Sequence, residues 1–326
     1  MAQSRLPHSI ASRLRLPLIA APMLRVSGPE LVLAACRAGV IGAFPTKNAR
    51  TADELDSWLT HIEEQNRSGD ATPAPYCPNL IMRDSRLADD LACIVRHRTE
   101  MVITSVGSPA AAVGALHDIG CLVFADIASL HHAERAIGAG ADGLILLTAG
   151  AGGQTGWLNP FAFVRAVRAM FDGPIVLAGG ISDGRALKAA SVLGCDLAYM
   201  GTKFIATRES MATAAYRQML VDSTMDDVML TSSFTGLPAN MLEPSIAAAG
   251  LDPKRLDESM TEARARSKFG GDADGTGPKR WTDIWSAGHS VSGVAIIESV
   301  QDLVDRTAAE FDAILASPDG IEPSTL

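Results

Sequence analysis

Two apolar runs that end in glycine are the chain's strongest chemical signal. One is Pro174-Ile175-Val176-Leu177-Ala178-Gly179-Gly180-Ile181, and the other is Leu197-Ala198-Tyr199-Met200-Gly201-Thr202. The helix-like segment Asp183 to Leu193 lies between them. Consecutive strands that end in small residues place bare main-chain N–H groups at one rim of a parallel sheet. Such groups can surround a phosphate with no lysine or arginine beside it. In a (β/α)8 barrel the loops after the last two strands are a frequent phosphate site. Gly179, Gly180 and Gly201 are therefore candidates to hold a phosphorylated cofactor or substrate.

A third glycine-rich stretch, Thr148-Ala149-Gly150-Ala151-Gly152-Gly153-Gln154-Thr155-Gly156, follows an earlier apolar run. Gly152 and Gly153 would let main chain approach a flat ligand closely. Asp126 ends another apolar run, so its carboxylate must be hydrogen-bonded or face the active rim, because an isolated buried charge is costly. Lys203 could neutralise phosphate or point outward. His131 and His132 open a helix on the same rim and read best as surface residues. Cys77, ahead of Pro78-Asn79, is a buried small side chain or faces the site. Trp157, Trp281 and Trp285 could wall a flat ligand or pack in the core. No metal site is expected, because the histidines lack partners at ligand spacing and no His-Glu-x-x-His occurs.

The elements that must position these residues alternate. Strands are expected at 16–23, 40–44, 76–82, 101–106, 121–127, 143–149, 174–181 and 197–204. Several are near-continuous apolar runs, as strands buried on both faces require. Helices are expected between them, at 29–38, 52–65, 86–98, 109–118, 129–138, 160–171 and 183–193. Pro29 and Pro160 suit first-turn positions. Eight strands by residue 204 favour a closed (β/α)8 TIM barrel, class α/β, over an open sheet, and no Gly-x-Gly-x-x-Gly follows the first strand. The expected division is a barrel over 1–208, a helical and loop lid over 209–293, and a C-terminal helix over 294–326 that packs back on the barrel. Residues 268–280 read as a flexible loop.

Composition narrows the function classes. The chain has 326 residues, is 47% hydrophobic and carries a net charge of −9, which disfavours nucleic acid or an anionic membrane as a partner. Five scattered cysteines without a Cys-x-x-Cys suit a reduced, cytoplasmic setting. No apolar run is long enough to span a bilayer, and the polar start of the chain does not read as a secretory signal.

In order and spacing, six motifs resemble the FMN-dependent nitronate monooxygenases, formerly 2-nitropropane dioxygenases, and their relatives the FMN-type enoyl-acyl-carrier-protein reductases. They are Ala21-Pro22-Met23, Pro78-Asn79-Leu80, Gly138-Ala139-Gly140-Ala141-Asp142-Gly143, Ala151-Gly152-Gly153-x-x-Gly156, Ala178-Gly179-Gly180-Ile181-x-Asp183-Gly184 and Met200-Gly201-Thr202-x-Phe204. The resemblance runs from about Leu16 to Ser210, with a weaker echo at Trp285–Gly293. It implies that Pro22 and Met23 line a flavin ring and that Asn79 contacts the ring or its polyol. It also implies that Gly179, Gly180, Gly201 and Thr202 hold the FMN phosphate. The implied reaction is oxidation of a small nitronate or other small carbanion, with O2 as acceptor. A homodimer is left open.

One departure matters. Family members generally carry Ala-Gly-Gly-His-x-Gly, whereas this chain has Gln154 in place of the histidine. Glutamine can donate a hydrogen bond to an oxyanion but has no useful pKa for removing a proton. A substrate that is already a nitronate tolerates that change; a neutral nitroalkane does not. His289 falls where relatives often have glutamine, so an exchange of the two side chains between facing loops is the second expectation. Two alternatives remain open at this point: an NAD(P)H-dependent FMN reductase of quinones or enoyl thioesters, and a flavin-binding protein without catalysis.

Overall fold

A computed structural model describes residues 5–68, 72–270 and 277–316. Gly271 and Gly275 of the expected loop, the first four residues and the last ten lie outside the described residues. Eight parallel strands close into a barrel: Leu18–Ala20, Ile41–Pro45, Tyr76–Ile81, Met101–Ser105, Leu122–Ile127, Gly143–Leu147, Ile175–Ala178 and Leu197–Met200. The first strand pairs with the second and, through Ile19 and Tyr199, with the eighth. Each expected strand is present, and the class is that of a (β/α)8 barrel.

The strands are apolar on both faces because both are covered. Inward residues Ile19, Ile41, Cys77, Ile103, Phe124, Ile145, Val176 and Leu197 pack one cluster, and Leu6 and Ile10 join it from the N-terminal segment. Outward residues such as Leu144, Leu146, Ile175 and Leu177 pack against Phe163, Val164 and Leu187 of the surrounding helices. These helices start where their caps allow. Thr51, Ser129, Asn159 and Asp183 each accept a main-chain N–H at a helix start, and Pro29 and Pro160 occupy first-turn positions.

The ends of the last two strands differ from expectation in a useful way. Strand seven stops at Ala178, and Gly179 and Gly180 leave it with φ of 121° and 75°. Strand eight stops at Met200, and Thr202–Ile205 is a helical turn instead of more strand. The segment after residue 208 is not only helix and loop. Val228–Thr231 and Ala239–Leu242 form an antiparallel pair, and the second of them pairs with Gly153–Gln154 from the loop after strand six. The C-terminal helix Val300–Ala316 lies on the helix Gly184–Leu193, with Val300, Leu303, Val304, Ala308 and Phe311 buried in the same cluster as Leu187 and Ala190.

Candidate active site

The C-terminal ends of the strands open into a cavity of about 2410 Å³. Its wall is built first from the turn after strand one. Ser27 Oγ accepts the Met23 N–H (3.0 Å) and donates to the Ala21 carbonyl (3.2 Å), while Asn48 Nδ2 donates to the Met23 carbonyl (2.9 Å). These bonds set the main chain of Pro22 and Met23 along the cavity. Asn79, buried within strand three, lines the same cavity. Its amide donates to Ser105 Oγ (3.0 Å) and to the Ile103 carbonyl (3.3 Å), so the side chain is oriented before any ligand arrives.

Gly179, Gly180, Gly201 and Thr202 all line the same cavity, brought together by the pairing of Ala178 with Tyr199. A Cβ on Gly179 would sit 2.5 Å from Thr148 Oγ1, whereas nothing lies within 4 Å of the Cβ position on Gly180. The first glycine therefore admits the neighbouring loop, and the second faces open space. Thr202 Oγ1 accepts the Gly288 N–H at 2.9 Å, which leaves its own proton free to donate. Lys203 turns the other way: its Nζ donates to the Gly293 carbonyl at 2.6 Å, and burial pulls its pKa down.

The loop after strand six is held from both sides. Ala239 pairs with Gln154 and Asn240 with Gly153, and Asn240 Nδ2 donates to the Ala151 carbonyl at 2.7 Å. Gly152 and Gly153 line the cavity, but a Cβ on Gly152 would lie 2.7 Å from Gly288 N, so that glycine serves the approach of a second chain segment. Gln154 is half-buried on the cavity wall, and among the described residues its side-chain amide makes no hydrogen bond within the protein. His289 stands apart. It is exposed, its main-chain N–H donates to the Gly150 carbonyl at 2.9 Å, and its side chain is not part of the cavity wall. The structure therefore places Gln154 on the cavity wall and leaves the exposed His289 side chain off it.

Asp126 also lines the cavity and has one carboxylate oxygen, Oδ1, buried without a partner. Burial pushes its pKa up to about 7. The sequence reading missed its neighbour, Tyr199, whose hydroxyl is also buried and unpartnered and whose pKa is raised by burial, then by Asp126 and Cys77. Strand periodicity carried that signal, since Leu197 and Tyr199 share the inward face. Cys77 is fully buried in the barrel interior and does not line the cavity. Trp157 and Trp281 line the cavity, Trp157 with 79% exposure, while Trp285 stacks on Tyr216 with ring centroids 4.9 Å apart. His132 reaches the outer wall and His131 is a surface residue. No described helix is long and apolar enough to cross a membrane.

This geometry has recognisable relatives. The family described as nitronate monooxygenase matches residues 79–309. A nitronate monooxygenase from Paraburkholderia phytofirmans is 28% identical over 281 residues, covering 73% of this chain and 76% of the relative. A (3aS,4S,5R,7aS)-5-hydroxy-7a-methyl-1-oxo-octahydro-1H-indene-4-carboxyl-CoA dehydrogenase from Rhodococcus jostii is 26% identical over 260 residues, covering 78% and 70%. In three dimensions FabK from Thermotoga maritima superposes with a TM-score of 0.78 at 23% identity, covering 97% of this chain and 98% of that one, which shows the shared barrel. The match to well over half its length establishes that the chain belongs to the nitronate monooxygenase family and is an oxidoreductase.

Proposed function

We propose that the cavity binds FMN and that the enzyme oxidises small alkyl nitronates with O2. The observation that carries the reading is the joint opening of Gly180 and Thr202 onto one cavity from adjacent strands. Gly180 has free space where a side chain would be, and Thr202 keeps a hydroxyl proton to donate. These donors suit a phosphate. The preset main chain at Pro22 and Met23 and the oriented Asn79 suit a flat ring. Gly201, Gly152 and Gly153 complete the cofactor-facing wall. FMN, when bound, supplies the redox chemistry, and the protein supplies orientation and electrostatics.

Gln154 is the residue assigned to the substrate. Its amide can donate to a nitronate oxygen, and the strand pairing at Ala239 holds it in place. Because it cannot accept a proton to any useful extent, the substrate must arrive already deprotonated. Asp126, on the cavity wall, is assigned to the cofactor side, where a half-protonated acid at neutral pH can donate as well as accept. His289 is given no role in the chemistry.

The test begins with an absorbance spectrum of purified protein and stopped-flow mixing with propionate-3-nitronate, an alkyl nitronate or NAD(P)H in separate runs. Flavin reduction by nitronates, with none by nitroalkanes at the same pH, is the expected result. The Gln154→His variant should gain turnover of neutral nitroalkanes. A colourless protein that takes up no FMN would overturn the reading. A second reading, an FMN-dependent reductase or dehydrogenase of bulky thioesters, is favoured by the cavity's size, since about 2410 Å³ exceeds the roughly 300–1,000 Å³ of most small-molecule sites. Rapid anaerobic flavin bleaching by NADH or NADPH would select it.

A further inference from the structure

Outside the barrel, the helices Ala52–Arg67 and Leu87–Arg96 bring together three side chains that the cavity does not use. Asp56 Oδ1 lies 3.2 Å from His97 Nε2 and 3.6 Å from Cys93 Sγ. All three ligand atoms fall within 4.8 Å of one another. Cys93 and His97 are four residues apart, hence on one face of their helix end, and Asp56 faces them from the neighbouring helix. Tetrahedral zinc bonds of about 2.0–2.3 Å imply N–O and S–O edges of roughly 3.3 and 3.5 Å. The observed separations are those edges to within a few tenths of an ångström.

The surroundings add a second, independent feature. The other ring nitrogen, His97 Nδ1, is 3.0 Å from Glu63 Oε1, and Tyr76 donates its hydroxyl to that same oxygen at 2.9 Å. A carboxylate faces each ring nitrogen, Glu63 at Nδ1 and Asp56 at Nε2, so the ring is held with Nε2 aimed at the Asp56–Cys93 side, where a cation would take the place of the Nε2 proton. Metal-binding histidines are commonly oriented this way. Without a metal, Cys93 is a neutral thiol, pushed up to about 12 chiefly by burial, that can only donate weakly to Asp56. Arg96 Nη2 also reaches Asp56 Oδ1, at 2.9 Å, from a side chain 60% exposed that is free to swing away.

We propose that Asp56, Cys93 and His97 form a three-ligand site for a borderline-soft divalent cation of the zinc type, with water as the fourth ligand, clamping the helices that follow strands two and three. The mixed S, N and O set selects zinc over magnesium or calcium. Binding displaces the Cys93 proton and the Nε2 proton that faces Asp56, both of which go to solvent, and no redox step is involved. Histidine spacing alone did not reveal the site because its carboxylate comes from a different helix.

The test uses the full-length protein, chelator-treated and titrated with Co2+ as the probe. One equivalent should give the strong visible bands of tetrahedral cobalt and a near-ultraviolet thiolate-to-metal band, and Zn2+ should displace both while Mg2+ does not. Cys93→Ser should remove the thiolate band. Since that position is buried, Asp56→Asn provides a gentler control and should weaken Co2+ binding at least tenfold. Arg96→Ala should tighten it by removing a competitor for the carboxylate, a change that a plain ion-pair network would not produce. Absence of tetrahedral bands in the wild type, a thiolate band that survives in Cys93→Ser, or unchanged affinity in Asp56→Asn would each overturn the site. FMN content plays no part in these readouts.

Discussion

The two ends of the barrel treat their aspartates in opposite ways. At the N-terminal end, Asp142 and Asp196 each precede a strand and clip it to its neighbour. Asp142 donates its N–H to the Val123 carbonyl, and its Oδ2 accepts the Val123 N–H at 2.8 Å. Asp196 repeats the device on Ile175, and also takes Arg168 at 2.8 Å and the Arg5 N–H at 3.0 Å. At the C-terminal end, Asp126 keeps a buried oxygen with no partner, beside an equally unpartnered Tyr199 hydroxyl. One end uses its polar groups to close the fold, and the other leaves them unpartnered on the cavity wall. This is the division of labour expected of the two faces of such a barrel.

The largest effect should come from breaking the closed end. Asp196→Ala would leave the buried Arg168 guanidinium without its counter-charge and the Ile175 N–H without its acceptor. A loss on the order of 3 kcal/mol in denaturant unfolding is expected. Arg168 retains carbonyl partners at Phe171, Gly173 and Gly194, which holds the cost to that range. FMN affinity below the melting transition should not change. A large change there would mean that the two ends are not separable.

The open end should respond the other way round. Gly180→Ala puts a methyl group into the space facing the cavity, at a φ of 75° that costs about 1–2 kcal/mol for a residue with a Cβ. The fold should survive, while FMN affinity measured by fluorescence quenching should fall at least ~10-fold, or about 1.4 kcal/mol. Unchanged affinity would remove Gly180 from the phosphate site.

Asp126 should make the contrast visible as pH. Its pKa is about 7 in the native state, against about 3.9 in the unfolded chain. Between those values the native state holds a proton that the unfolded state has lost, so the contribution of Asp126 to stability is full below about pH 4 and is lost as pH rises to about 7. The facing groups Tyr199 and Cys77 are both pushed up and stay neutral in this window. Asp126→Asn should abolish that decline in denaturant titrations from pH 5 to 8, and flatten any pH dependence of FMN binding. A decline that persists in the variant would place the titrating group elsewhere.

Much of this contrast could be read in the chain itself. Strands covered on both faces are near-continuous apolar runs, so all eight stand out, and glycines at the ends of strands seven and eight mark the rim. Asp126 was legible for the same reason: a carboxylate closing an apolar strand demands an explanation. The sheet that holds Gln154 was not legible. A two-residue strand at Gly153–Gln154 has no period to detect, and its partner, Ala239–Leu242, lies far along the chain. Of Asp56, Cys93 and His97 the sequence held one part, Cys93 and His97 four residues apart at the end of one helix, while Asp56 comes from a neighbouring helix that spacing does not reveal.

The smallest expected effect concerns the one position where a motif and the structure point in different directions. The resemblance to the family made His289 a candidate to exchange places with Gln154, yet the imidazole is exposed beside Gly150 and outside the cavity wall. The tie between these segments, His289 N–H to Gly150 carbonyl, is main chain and survives truncation of the side chain. His289→Ala should therefore change stability by less than about 0.5 kcal/mol and leave steady-state turnover of nitronates unaltered. If turnover instead fell steeply with a lost ionisation in its pH profile, the Gly288–Ser290 segment would have to turn inward during catalysis. The cavity wall would then gain an imidazole from that segment, in addition to the groups that already line it.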